Sequence, residues 1–329
     1  MPHAHPTRRR FITIFAAAAA STFGGAAHPA DVDYEWTGTA MGAAARILLN
    51  MPRAQDARGI IDLVEAEIER LETILSLFRS DSQLCRLNRE GYLAQPSSDL
   101  RRALGLGLGI SRLTDGLFDP TVQALWEAHV DWFRDQDHTT LPPDGVIASA
   151  RRLVNWRKVQ VAPDVIRLGE GQRITLNGLG QGYVTDRVAE LLVGRGLTNV
   201  LVDLGEQRAL GPRPDHSPWL IARRDAASIA LSRGALATSE GSGCVLGARG
   251  AAHHLFDPRS GRSAQQWQTI TVHHDSAAVA DALSTAFSVA SADELQRLQP
   301  RVGRPAIWAT DLTGRHHHWP ASNPENIAG

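Results

Sequence analysis

The chain has 329 residues, 43% of them hydrophobic and 21% charged, with a formal net charge of −1. That balance supplies a full apolar core for one large or two smaller domains and argues against a disordered chain. The lack of net positive charge and of aromatics interleaved with basic runs argues against nucleic-acid binding, and two cysteines, Cys85 and Cys244, are too few for a cysteine-rich zinc framework.

At the N-terminus, Thr7-Arg8-Arg9-Arg10-Phe11-Ile12 precedes an apolar run to Ala20 and small residues to Ala30. This pattern predicts a twin-arginine export signal over residues 1–30, with cleavage near Ala27 to Ala30. The run is too short and too alanine-rich to hold a bilayer core. The expectation is therefore a mature domain over 31–329, periplasmic and not an integral membrane protein. In that oxidising compartment a Cys85–Cys244 bridge is open to the chain.

Tyr34 to Leu49 reads as a strand with a tight Gly38–Gly42 centre. Ala54 to Leu77 places Ile60, Ile61, Val64, Ile68, Leu71 and Leu75 at helical spacing, a long amphipathic helix. Ser80 or Asp81 is placed to cap a short helix carrying Leu84 and Leu87. A further helix runs from Asp99 to Thr114, weakened by Gly105, Gly107 and Gly109. Asp115 to Thr121 is a turn into a helix with Pro120 at an early position. His138 to Val146 reads as a loop and Val159 to Leu168 as strand–turn–strand.

Ile174 to Glu206 is the richest stretch: an apolar strand, a turn with Gly178, Gly180 and Gly182, a helix from Tyr183 to Val193, a Gly194/Gly196 stop and a strand from Leu197 to Leu204. A glycine turn feeding a helix start offers unpaired N–H groups to a phosphate. The same glycines would equally serve a tight connection that binds nothing, and their spacing is not the GxGxxG of a classical Rossmann fold.

Strands follow at Trp219–Arg223, Ala227–Leu231, Gly234–Ser239 and Gln268–His273, a Pro/Gly turn at His253–Gly261, a helix at Ala277–Ala290 and a closing strand at Pro305–Ala309. Strands and helices interleave without a strict βαβ rhythm. The expected class is α+β, in mixed α/β layers rather than a doubly wound parallel sheet.

In the helix from Ala277, Asp281 and Thr285 lie one turn apart on the same side. A carboxylate and a hydroxyl shown together in apolar surroundings suit a hard cation such as Mg²⁺. The alternative is that Asp281 complements the helix dipole and Thr285 bonds back to the preceding turn. The pairs His253/His254 and His273/His274 fall on strands, whose neighbours point to opposite faces, and His316 to His318 read as surface decoration. No GxSxG elbow supports a serine hydrolase.

Together these motifs resemble the ApbE family, the FAD:protein FMN transferases, in the family's order through nearly the whole mature chain. The matching segments are Gly38-Thr39-Ala40-Met41-Gly42, Leu75 to Asn88 with Phe78 in the aromatic position, Gly116 to Thr121, Leu176 to Asp186, Asp203 to Glu206, Thr238-Ser239, His254 to Gly261 and Ala280 to Thr285. The resemblance implies a single two-lobed ApbE-like domain and a Mg²⁺-dependent reaction. In that reaction FAD is cut at its pyrophosphate, FMN is joined by a phosphoester to a Thr or Ser of an exported acceptor flavoprotein with an S/T-G-A-T-like motif, and AMP is released. It implies Asp281 and Thr285 as side-chain metal ligands, with main-chain oxygens near Ala278 and Gly178. Met41, Phe78, Phe118, Asp119 and Leu255 match positions lining the flavin or adenine pocket, and His254 keeps the place of the family histidine. The chain departs at Thr175, often Asp in the family, and at Gln181, often Lys or Glu. Gln181 can still hydrogen-bond FAD but cannot neutralise a phosphate. Those losses leave room for two other readings, a non-catalytic periplasmic FAD carrier or scaffold and a bare FAD pyrophosphatase.

Overall fold

A computed structural model of the chain describes residues 34–50, 54–135, 140–224, 226–247, 250–322 and 327–328. The export-signal stretch lies outside the described residues. The helices are α1 (Ala54–Leu75), α2 (Gln83–Glu90), α3 (Ser98–Leu113), α4 (Gln123–Asp135), α5 (Asp144–Arg151), α6 (Gly180–Val193), α7 (Ala277–Ser288) and α8 (Ala292–Leu298). The main sheet has eight strands: β1 (Tyr34–Ala40), β2 (Ala43–Leu49), β3 (Val200–Asp203), β4 (Gln207–Ala209), β5 (Gly234–Glu240), β6 (Trp267–His274), β7 (Ala306–Asp311) and β8 (His316–Trp319).

Their order across the sheet is their order along the chain, and every neighbouring pair is antiparallel. No pair in this sheet is parallel, so the fold is mixed α and β and not a Rossmann sheet. Helices α1, α6 and α7 cover one face, with Ile47, Leu71, Val188, Val272 and Phe287 in the core between. A three-stranded sheet of Trp219–Arg223, Ala226–Leu231 and Ile327–Ala328 covers the other, over Leu48, Leu236 and Trp308. A separate small cluster gathers Leu125, Ala150 and Phe256. Among the described residues no helix is long and apolar enough to cross a membrane.

Several elements differ from the sequence expectation, each for a physical reason. The stretch from Tyr34 is a hairpin, not one strand. Met41 and Gly42 take positive φ of 51° and 82° at its turn, and Glu72 of α1 accepts the Met41 N–H at 2.7 Å. The cap of α2 is Ser82 rather than Ser80 or Asp81. Its buried hydroxyl accepts the Cys85 N–H at 3.0 Å and donates to the Ser76 carbonyl at 2.7 Å. Of the three glycines in α3, Gly107 is the one in a close contact, because a Cβ there would lie 3.3 Å from the Phe118 ring, while nothing lies within 4 Å of a Cβ at Gly105 or Gly109.

Helix α5 starts at Asp144, inside the expected loop, whose residues 138 and 139 lie outside the described ones. Ile174 to Leu176 forms no strand. The Asn88 side chain takes the place of a neighbouring strand there, accepting the Ile174 N–H and donating to the Ile174 carbonyl, both at 2.8 Å. Helix α6 begins at Gly180, one turn before the apolar periodicity does. Strand β3 is short because the chain turns back into β4 through Gly205, at φ +107°. Helix α8, absent from the sequence expectation, starts in a Ser291/Glu294 capping box. Strand β8 is likewise absent from that expectation, and on it His317 is no free decoration: it pairs with Asp311 at 2.9 Å. Cys85 and Cys244 are free thiols, with no bridge between them.

Candidate functional site

Helix α7 forms because Ser276 caps it and its inward residues, Ala278, Ala282, Leu283, Ala286 and Phe287, are small or apolar. Small residues let it press against α6, whose first turn is equally bare. A Cβ on Gly182 would run into the Ala277 carbonyl, and one on Gly178 would lie 2.7 Å from Thr285 Oγ1. The glycine turn and the Asp281/Thr285 side of α7 are therefore in contact.

The Gly182 N–H donates to Asp281 Oδ2 at 3.1 Å. Asp281 is only 4% exposed. Burial raises its pKa to about 7, against the pull of the Gly182 N–H and with a further push from the Asp186 charge.

One cavity is lined by Phe118, Asp119, Thr175, Gly178, Gln181, His254, Leu255, Asp281 and Thr285, so nine residues singled out in the sequence share its wall. Met41, Phe78 and Ala278 do not line it. The Met41 Sδ-methyl lies behind Gly180, 3.4 Å from where its Cβ would be, and Ala278 packs against Gly182. Phe78 lines a neighbouring cavity that shares Gln123, Trp126 and Asn177 with the first.

Asp119 has its carboxylate turned to building the wall. It accepts from the Thr121 N–H and hydroxyl, at 2.8 and 2.6 Å, and from the Trp156 N–H at 3.0 Å. Burial still pushes its pKa up. Thr175 folds its hydroxyl onto the Asn177 N–H at 3.0 Å. Gln181 lies against Gly205, where any side chain would collide with its amide. His254 sits with Nδ1 3.3 Å from the Cys244 carbonyl, and burial lowers its pKa to about 4, so the ring is neutral at ordinary pH.

Glu206, a residue without an expected role, lines the same wall at 7% exposure. Burial drives its pKa well up, and the charges of Asp281 and Asp203 add to that. A carboxylate directly after the glycine of a strand-ending turn was the signal available for it. Among the described residues no three His, Cys, Asp or Glu side chains form a metal-holding group. The Asp281 carboxylate and the Thr285 hydroxyl lie on this wall beside the Gly178 turn, with the Glu206 carboxylate near Asp281, and oxygen donors of this kind fit a hard divalent ion.

The family model for the ApbE family matches residues 41–308. The chain belongs to the ApbE family. As a member it is a transferase. A curated relative from Haemophilus influenzae, named FAD:protein FMN transferase, is 25% identical over 254 residues, covering 70% of this chain and 72% of the relative. One of the same name from Salmonella typhimurium is 24% identical over 289 residues, 81% of each chain. The solved Thermotoga maritima ApbE protein superposes with a TM-score of 0.77 at 24% identity, covering 86% of this chain and 96% of that one. The apo form of the Pseudomonas stutzeri flavinyl transferase ApbE gives 0.74 at 25% identity, covering 87% and 94%.

Proposed function

We propose that this ApbE protein is a Mg²⁺-dependent FAD:protein FMN transferase, exported by the twin-arginine route and acting in the periplasm. The observation that carries the reading is the meeting of Asp281 and Thr285 with the bare Gly178 turn inside one cavity that also holds Phe118, Leu255 and Gln181. Asp281 and Thr285 are the residues that would hold the ion. When bound, Mg²⁺ supplies positive charge to the FAD pyrophosphate and to departing AMP. That charge matters here because Gln181 has none of its own.

The chain's own groups mainly position and shield. Gly178 lets the turn close directly onto Thr285 and leaves its main chain bare toward the cavity, Phe118 and Leu255 give the aromatic and apolar parts of FAD a dry wall, and Gln181 offers its amide. The acceptor hydroxyl attacks the FMN phosphorus. A new P–O ester forms, the P–O bond to AMP breaks, and the hydroxyl proton is released. The acceptor is an exported flavoprotein with an S/T-G-A-T-like motif.

The test mixes the purified mature protein with FAD, Mg²⁺ and such an acceptor. Fluorescent acceptor and AMP in equal amounts are expected. FAD bound without any labelling would favour a carrier, the reading that the uncharged Thr175 and Gln181 leave standing. AMP and free FMN without acceptor would mark a pyrophosphatase. Export is tested separately by fusing residues 1–30 to a reporter and changing Arg8, Arg9 and Arg10 to Lys; a reporter still exported would sink that part.

A further inference from the structure

The helix that carries Asp281 and Thr285 is anchored by a residue of another helix. The Asp186 carboxylate, on α6, accepts the Ala277 N–H at 2.8 Å, the Ala278 N–H at 3.1 Å and the Ser276 hydroxyl at 2.6 Å. It also pairs with Arg208 of β4. Ser276 already caps α7 on its own, through the Val279 N–H at 3.3 Å. Asp186 is therefore a second, charged cap reaching across from α6, where a carboxylate and a helix N-terminus attract.

One turn away lies a second tie between the same two helices, the bond from the Gly182 N–H to Asp281. Gly182 and Asp186 are four apart on α6, as are Ala277 and Asp281 on α7. The two helices are thus pinned at two levels, and neither can slide or turn along the other without breaking one pin. Thr285, one further turn along, meets the Gly178 turn with no slack. Asp186 does not line the cavity itself.

We propose that Asp186 is a positioning residue, setting the depth and rotation of α7 so that Asp281 and Thr285 together meet the ion and the pyrophosphate. The proposal rests on the reading of those two side chains as metal-holding.

The experiment measures Mn²⁺ binding to FAD-loaded protein by electron paramagnetic resonance, without acceptor, beside the Mg²⁺ dependence of acceptor labelling. Asp186→Asn is expected to weaken Mn²⁺ binding and raise half-saturating Mg²⁺ by about tenfold or more. Labelling should return to near wild type at saturating Mg²⁺, and FAD affinity without metal should be unchanged. Ser276→Ala removes one tie and leaves the Asp186 charge in place, so its shift of about two- to threefold reports geometry rather than lost field.

A lowered melting temperature with unchanged Mn²⁺ affinity would overturn the proposal, as would labelling that stays low at saturating Mg²⁺. Should Asp186→Asn fail to fold, Ser276→Ala and Arg208→Gln carry the test, and wild-type metal affinity in both refutes it. Asp281→Asn separates the two levels: Mn²⁺ binding that survives there removes the metal reading itself, whatever Asp186 does.

Discussion

The two faces of the main sheet bury different kinds of matter. Under the small three-stranded sheet lie Leu48, Trp219, Ile229, Leu231, Leu236 and Trp308, and the Trp219 indole is satisfied by the Gly211 carbonyl at 2.8 Å. Under α6 and α7 the chain buries the carboxylates of Asp281 and Asp186 and a Ser239–Ser284 hydroxyl pair at 2.8 Å. Burying a carboxylate costs several kcal/mol unless bonds or charges offset it. An apolar filling would have stabilised the helix side more cheaply, as it does the strand side. Ile229 and Leu236 of the strand side also line the cavity, and Thr271 and His273 are buried there. The difference between the faces therefore lies in the buried carboxylates of Asp281 and Asp186, which the helix side alone of the two holds among these residues.

The contrast breaks most directly at Asp281. Asp281→Asn should reduce acceptor labelling by about 10³-fold or more while leaving the circular dichroism spectrum intact; labelling within a few-fold of wild type would mean that the buried charge is not functional. Next comes Gly178→Ala, which pushes a methyl onto Thr285. A labelling loss of about 10²-fold is expected, together with a raised Mg²⁺ requirement, both read from a metal titration.

On the opposite face, Leu231→Ala should lower unfolding free energy by about 2–5 kcal/mol in a urea melt. Its labelling rate per folded molecule should stay at wild type. A rate that fell in step with stability would erase the distinction between the faces.

The smallest effect is at His254, whose folded pKa of about 4 lies below the ordinary histidine value. Because the unfolded chain takes up a proton first, near pH 6.5, this residue's contribution is present above that pH and lost as pH falls from about 6.5 towards 4. Melts of His254→Asn should lose less stability than wild type across that interval. Parallel curves would show that His254 titrates normally.

The helical pair at the centre of the site was legible because its signals are local. Asp281 and Thr285 sit at one-turn spacing in α7, and the glycines of residues 178–182 stand out against any helical or strand pattern. What escaped depends on partners distant in sequence. Ile174 looks like strand sequence, and only Asn88, 86 positions earlier, supplies the bonds that replace a ladder. The hairpin turn at Met41 carries no Asn-Gly signature, since Glu72 of α1 holds its N–H. Asp119 reads as a pocket residue but spends its oxygens on Thr121 and Trp156. Glu206 acquires its raised pKa from burial in the assembled wall, with the charges of Asp281 and Asp203 adding to it. Local periodicity finds the elements; buried charge emerges from their assembly.

The unbroken sequential order of the main sheet has one more consequence. Strands β2 and β3 are rungs of one ladder, yet the chain leaves at Leu49 and returns only at Val200. Closing so long an excursion costs little more than closing a short one, since the entropy grows only with the logarithm of length. The loops that connect its elements can therefore lengthen, shorten or be nicked between those two strands without unzipping a ladder of the main sheet. A lineage could reshape its partner choice there while the clamp of α6 on α7, encoded beyond most of that detour, stays untouched.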